Sequence, residues 1–257
     1  IWVKASITSY VSSCVFKDNR AGNETMNLNG GAIYIRFTTS TPRFYLSDSE
    51  FINNSCANKL SNGHVVFGIY LFSILNIDSC QFIDNGNDEN PNSMIYTNSN
   101  LQSHFSSFIF TNKETSNSRA LYVGSSSELD LYHCDFINCT DKTEKAGAIF
   151  YEISSVRSPM FVKISYCTFE RNTEGTKSCE MFFYVLDPPY IRDCTFNDDD
   201  TLSDLVIINF DESVTEIEPI EYVENPSITC NNCNLNNNFI FGYFENLNRH
   251  VELSDYT

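Results

Sequence analysis

The chain has 257 residues, of which 42% are hydrophobic and 14% aromatic, with 21 Phe and 14 Tyr. That is enough apolar surface for a large core, and it excludes intrinsic disorder. Lys and Arg total 16 against 33 Asp and Glu, a net charge of -17, which argues against binding nucleic acid or docking on anionic lipid.

The sequence opens on Ile1, and no charged segment precedes an apolar one, so no signal peptide is visible. The longest apolar run, 65–75, is interrupted by Gly68 and Ser73. A membrane helix needs ~20 residues, so no membrane span is expected in this segment. Repeats run close to both ends, and a piece of a longer chain is expected, adjoining neighbouring segments of itself.

One word recurs along the chain. It appears as Cys14-Val-Phe16-Lys-Asp-Asn19, then as Ser49-Glu-Phe51-Ile-Asn-Asn54 and Cys80-Gln-Phe82-Ile-Asp-Asn85. The fourth copy reads Ser107-Phe-Ile109-Phe-Thr-Asn112, with Ile109 in the Phe position, and the fifth Cys134-Asp-Phe136-Ile-Asn-Cys139. Cys167-Thr-Phe169-Glu-Arg-Asn172, Cys194-Thr-Phe196-Asn-Asp-Asp199 and Cys233-Asn-Leu235-Asn-Asn-Asn238 complete eight copies. The intervals between them are 35, 31, 27, 27, 33, 27 and 39 residues. A period of this size marks a stacked-repeat architecture, and variable intervals above a constant floor mark loops inserted at tolerant corners. The longest interval holds an acidic stretch with Glu216, Glu218, Glu221 and Glu224, and 212–227 reads as an inserted acidic loop.

Each copy carries short extended pieces. Before the word lies an alternating segment such as Leu129-Asp-Leu131-Tyr-His133 or Val162-Lys-Ile164-Ser-Tyr166. Alternation of period two reads as a half-buried strand. After the word come a polar stretch and a second apolar piece, such as Gly31-Ala-Ile-Tyr34 or Ala148-Ile-Phe150. No segment sustains helical periodicity. The expected fold is all-β: one right-handed parallel β-helix, or β-solenoid, of about eight coils over 1–257. Units of 27 residues are too short for propeller blades of ~40–45 residues.

In that fold Phe16, Phe51, Phe82, Ile109, Phe136, Phe169, Phe196 and Leu235 form an inward ladder. Asn19, Asn54, Asn85, Asn112, Asn172 and Asn238 sit at a corner, where Asn tolerates left-handed backbone and its amide can bond the Asn one copy away. Cys14, Cys80, Cys134, Cys167, Cys194 and Cys233 are either a buried ladder of thiols or partly oxidised between neighbours. Cys56, Cys139 and Cys179 stand apart as the better candidates for disulfides.

The sequence gives little sign of catalysis. The four His are scattered, and Cys230-Asn-Asn-Cys233 has no second pair for zinc. No metal site and no cofactor are expected. Polysaccharide-cleaving β-helices need carboxylates on adjacent coils. The position before the corner Asn reads Asp18, Asn53, Asp84, Thr111, Asn138, Arg171, Asp198, Asn237, and the one before the Cys or Ser reads Ser13, Asp48, Ser79, Ser106, His133, Tyr166, Asp193, Asn232. Neither holds neighbouring acids, and no catalytic residue is assigned. Asp198-Asp-Asp200 reads as an acidic solvent loop, and Gly30-Gly31 as a tight turn without a phosphate-loop Lys. Sequons at Asn23, Asn53 and Asn138 would be used only in a secreted eukaryotic protein, with Asn23 the best placed.

Phe-x-x-Asn at 16–19, 51–54, 82–85 and 169–172, alternating with Gly-Gly-Ala-Ile at 30–33 and its degraded form Ala146-Gly-Ala-Ile149, resembles the repeat of the chlamydial polymorphic outer membrane proteins and of trichomonad and other protist surface proteins. The resemblance covers roughly 10–245. It implies a β-helical passenger of a secreted or surface-anchored protein, usually with an adhesive role. The function expected is a non-enzymatic extracellular or cell-surface segment, a rigid spacer and adhesion surface whose partner is protein or glycan. The alternatives are a component of an extracellular filament or appendage, and a polysaccharide lyase or hydrolase.

Overall fold

The structure is a computed structural model. It describes residues 1–5, 8–22, 29–37, 42–57, 65–69, 74–86, 93–98, 102–112, 118–124, 128–141, 146–152, 161–174, 177–178, 181–184, 190–197, 206–209, 228–231, 243–244, 249–250 and 253–254. Among these the protein is all-β, with no helix. Three large sheets hold most of the strands, and every strand pair within them is parallel.

The first sheet orders Trp2–Ala5, Ile33–Phe37, Val66–Ile69, Ile95–Asn98, Leu121–Gly124, Ile149–Glu152, Met181–Tyr184 and Val206–Asn209. The second orders Ser9–Ser12, Arg43–Ser47, Ile74–Asp78, Gln102–Ser106, Glu128–Tyr132, Phe161–Ser165, Tyr190–Arg192, Ile228–Asn231 and Leu253–Ser254. The third holds the centres of the repeated words: Val15–Lys17, Glu50–Ile52, Gln81–Ile83, Ile109–Thr111, Asp135–Ile137, Thr168–Glu170 and Thr195–Asn197. Neighbours in each sheet come from successive copies, so like positions lie side by side.

Period-two alternation selects what is buried. In the second sheet Phe44 and Leu46, Leu75 and Ile77, Leu129 and Leu131, and Val162 and Ile164 point into the core. In the third only the middle residue of each strand does: Phe16, Phe51, Phe82, Phe110, Phe136, Phe169 and Phe196. These join Ile33, Ile35, Val66, Ile95, Leu121, Val123 and Ile149 of the first sheet in one apolar cluster.

Single left-handed residues turn the chain between strands. Ser13, Asp48, Ser79, Ser107, His133, Tyr166 and Asp193, all with φ between 49° and 56°, separate the second sheet from the third. Asp18, Asn53, Asp84, Asn138 and Arg171 do the same after the third. The left-handed conformation expected of the corner Asn thus belongs to the residue before it. Asn19, Asn54, Asn85 and Asn172 follow the bend, which leaves their amides aimed along the column. Gly30, with φ 71°, is obligatory for a related reason: a side chain there would strike the carbonyl of Ile33.

The fourth copy departs from the word alignment. Phe110, not Ile109, pairs with Phe82 and Phe136, and Ile109 is 38% exposed. Ser107 takes the left-handed position that Ser79 holds, and Phe108 takes the place of Cys80. The reason is a one-residue contraction. Asn85 lies three residues after its inward Phe, but Asn112 only two after Phe110. Alternation keeps the larger ring inside, and the corner absorbs the deletion.

Candidate functional site

The word builds three columns. The aromatic column stacks Phe16 on Phe51 at 4.8 Å between ring centroids and Phe51 on Phe82 at 4.9 Å. It continues from Phe82 to Phe110 at 4.7 Å, to Phe136 at 5.4 Å, to Phe169 at 5.0 Å and to Phe196 at 5.1 Å. Phe108 stands edge-on to Phe82, Phe105, Phe110 and Phe136. Leu235 lies outside the described residues, as do Asn238 and Cys233.

The Cys column explains why Ser substitutes for Cys. The thiols of Cys14, Cys80, Cys134, Cys167 and Cys194 each donate to the carbonyl two residues earlier, at 3.2–3.3 Å. Ser49 Oγ makes the same bond to Ser47 O at 2.7 Å. Cys14, Cys56, Cys80, Cys134, Cys139, Cys167 and Cys194 are all thiols. Cys56 and Cys139, expected as disulfide partners, are buried thiols, and Cys179 lies outside the described residues. Burial pushes the thiols of Cys56 and Cys80 up to about 12. Burial also raises Cys167, while hydrogen bonding to Cys167 and then burial raise Cys194. Such thiols are held as neutral packing groups rather than nucleophiles.

The Asn column is a chain of amides. Asn19 Nδ2 donates to Asn54 Oδ1 at 2.8 Å, and Asn54 Nδ2 to Asn85 Oδ1 at 3.0 Å. Each amide also ties down the aromatic strand one copy earlier: Asn54 Nδ2 reaches Phe16 O, Asn85 Nδ2 reaches Phe51 O and Asn172 Nδ2 reaches Phe136 O, at 2.8–3.0 Å. Cys139 occupies the column and donates its backbone N–H to Asn172 Oδ1 at 2.8 Å. The contraction breaks the series at Asn112, whose Nδ2 turns to Ser118 O at 3.2 Å and whose buried Oδ1 has no partner.

Two sequon residues are described. Asn53 is exposed and donates Nδ2 to Asp18 Oδ1 at 2.7 Å. Asn138 Nδ2 donates to Asn112 O at 3.2 Å, and its Oδ1 accepts from Arg171 Nε at 2.9 Å. Asn23 and 212–227 lie outside the described residues.

The outward side of the second sheet carries a patch that the repeated word does not encode. In register, Asp130 neighbours Lys163 and Lys163 neighbours Tyr190; Tyr132 neighbours Ser165 and Ser165 neighbours Arg192. The bend residues His133, Tyr166 and Asp193 complete a three-by-three grid. Tyr132, Tyr166 and Tyr190 are all exposed. Tyr166 lies parallel to His133 at 5.1 Å, while Tyr132 stands nearly perpendicular to both rings. Tyr166 donates to the Asp193 carboxylate, which raises its pKa, and Arg192 Nε donates to Asp193 Oδ2 at 2.7 Å. Ser165 is buried between Tyr132 and Arg192, and its Oγ has no partner. The signal was present in sequence: the residues before the Cys change from small and polar to His133 and Tyr166.

Among the described residues no three His, Cys, Asp or Glu lie together so as to hold a metal ion. No helix of the described residues is long and apolar enough to cross a membrane. One acidic pair does lie in register: Asp141 beside Glu174, on a small sheet of Thr140–Asp141, Thr173–Glu174 and Lys177–Ser178. It follows the corner by two or three residues and so escapes a reading of the word itself. No family model, curated protein or solved structure matches this chain.

Proposed function

We propose that the three sheets are the faces of a right-handed parallel β-helix of about eight coils, and that the chain is a non-enzymatic extracellular segment related to the polymorphic outer membrane protein repeat. It serves as a rigid spacer that displays an adhesive surface. The observation that carries this reading is the column from Phe16 to Phe196, which places seven copies of one word in register. Stacked parallel strands advance ~4.8 Å each, so eight coils rise roughly 38 Å, a stiff support for a lateral surface. The Cys, Asn and Phe columns face inward or along the stack and hold it together. One outward column runs from Ser12, Ser47, Asp78 and Ser106 to Tyr132 and Arg192, so its chemistry changes along the stack.

Antibody raised against the chain tests the localisation. It should stain intact, unpermeabilised source cells, and beads coated with the chain should bind target cells. Staining seen only after permeabilisation overturns the reading. A crystal structure should show the three sheets closing into a tube, and sheets that pack without closing would sink the β-helix.

The backbone register of Asp141 beside Glu174 favours a second reading, a polysaccharide lyase or hydrolase. It requires cleavage of a polysaccharide that Asp141→Asn or Glu174→Gln abolishes.

A further inference from the structure

Two columns of the grid around Ser165 change character where they reach Tyr132 and His133. In earlier copies these two columns hold Ser12, Ser47, Asp78 and Ser106, and Ser13, Asp48, Ser79 and Ser107, all small and polar, while the third column holds Tyr10, Tyr45, Asn76 and His104. At Tyr132, His133 and Tyr166 those two columns become large, planar and solvent-facing, yet the residues are fixed. Tyr166 is held by Asp193, Asp193 by Arg192, and the rings by one another. Tyr supplies wide contact area with few rotamers to freeze, which suits it to a preformed binding surface.

We infer that this patch is a binding site for a neutral saccharide. The claim rests on the surface reading above and names the ligand class of that surface. Aromatic faces stack on the apolar C–H face of a pyranose, and the hydroxyl rim then needs donors and acceptors close by. Asp130, Lys163, Arg192 and Asp193 supply them, and their formal charges cancel. A chain of net charge -17 repels anionic polymers, and a charge-neutral patch offers them no compensation. The independent pointer is Ser165. Its side chain stands on the outward face, since Val162 and Ile164 point into the core, yet it is 2% exposed and its Oγ is unpartnered. A buried hydroxyl without a partner is costly, and a sugar hydroxyl entering between Tyr132 and Arg192 satisfies it.

The test is an array of immobilised neutral and anionic glycans probed with the full chain, followed by calorimetry with the best neutral oligosaccharide. Binding to neutral glycans is expected. Tyr132→Ala and Tyr166→Ala should each weaken it at least tenfold, and Ser165→Ala should weaken it measurably. Tyr10→Ala and Tyr45→Ala, which alter the separate stacked pair of the same sheet, should leave it unchanged. Thermal melts of all five variants verify folding. The inference is overturned if no neutral glycan binds, if only anionic glycans bind, or if binding survives both Tyr132→Ala and Tyr166→Ala in folded protein. Bead adhesion that persists through those outcomes would retain the surface reading and discard the saccharide. Saccharide binding without surface staining would do the reverse.

Discussion

Phe110 lies against Phe82, ring centroids 4.7 Å apart, and Ile109 beside it faces outward. This one-residue slip decides which side chain of the fourth copy supports the core. Phe110→Ala should open a cavity and cost about 3–5 kcal/mol, as should Phe82→Ala. Ile109→Ala, at an exposed position, should stay within about 0.5 kcal/mol. Urea unfolding of the three variants measures the difference. A larger loss at Ile109 than at Phe110 would restore the uncontracted register.

Much of this architecture was legible from spacing. A word that repeats with Phe, Cys or Ser, and Asn at fixed offsets already says that three residue types stand in three columns. The fourth copy misled because Ile109 and Phe110 are both apolar, so a gap-free match to Asn112 cost nothing in sequence terms. Only the backbone shows the deleted corner residue. The left-handed residue was misassigned for another reason: Asn is the residue type that tolerates that conformation best, but here it is needed for its amide. The grid around Ser165 escaped because columns were searched for carboxylates, while its residues come from three copies that differ from each other.

The Asn column makes a graded prediction. Asn54 accepts from Asn19 and donates to Asn85 and Phe16, so Asn54→Ala strands several buried groups. Each such group costs about 1–3 kcal/mol, and a loss of about 3 kcal/mol is expected. Asn19 ends the column and is half-buried, so Asn19→Ala should cost about 1 kcal/mol. Equal losses in chemical denaturation would mean that the amides do not act as a chain.

Ser165 should separate stability from binding. Its Oγ is buried and unpaired, so Ser165→Ala removes a desolvated hydroxyl without losing a bond. A gain of about 1 kcal/mol is expected in denaturant unfolding, against the weakened saccharide binding argued above. Destabilisation on Ser165→Ala would show that the hydroxyl has a partner.

The bends are tested at Asp48, exposed and held at φ 49°. Glycine removes the strain of this conformation but loosens the unfolded chain by a similar amount, so Asp48→Gly should change stability by less than about 0.5 kcal/mol. A β-branched side chain gains nothing in return, and Asp48→Val should cost roughly 1–2 kcal/mol. Thermal melts of both variants decide the point, and a tolerated Val would show that the bend is not left-handed.

The thiols give a pH dependence with a defined sign. Burial holds Cys56 and Cys80 at about 12, above the ordinary thiol value of ~8.5. A raised folded pKa means that the folded state keeps protons which the unfolded state releases. The contribution is therefore complete below about pH 8.5 and is lost as pH climbs towards 12. In reductant, Tm should be insensitive to these groups around neutrality and fall above about pH 9. Cys80→Ser should lessen the alkaline fall, since a hydroxyl does not ionise there. It should be tolerated at pH 7 because Ser49 already makes the same bond to the carbonyl two residues back. Maleimide labelling at pH 7 supplies the kinetic counterpart. Cys14, half-buried, should react well before Cys80, Cys134, Cys167 and Cys194. Rapid native labelling of Cys167 would show that the column is open to solvent rather than packed.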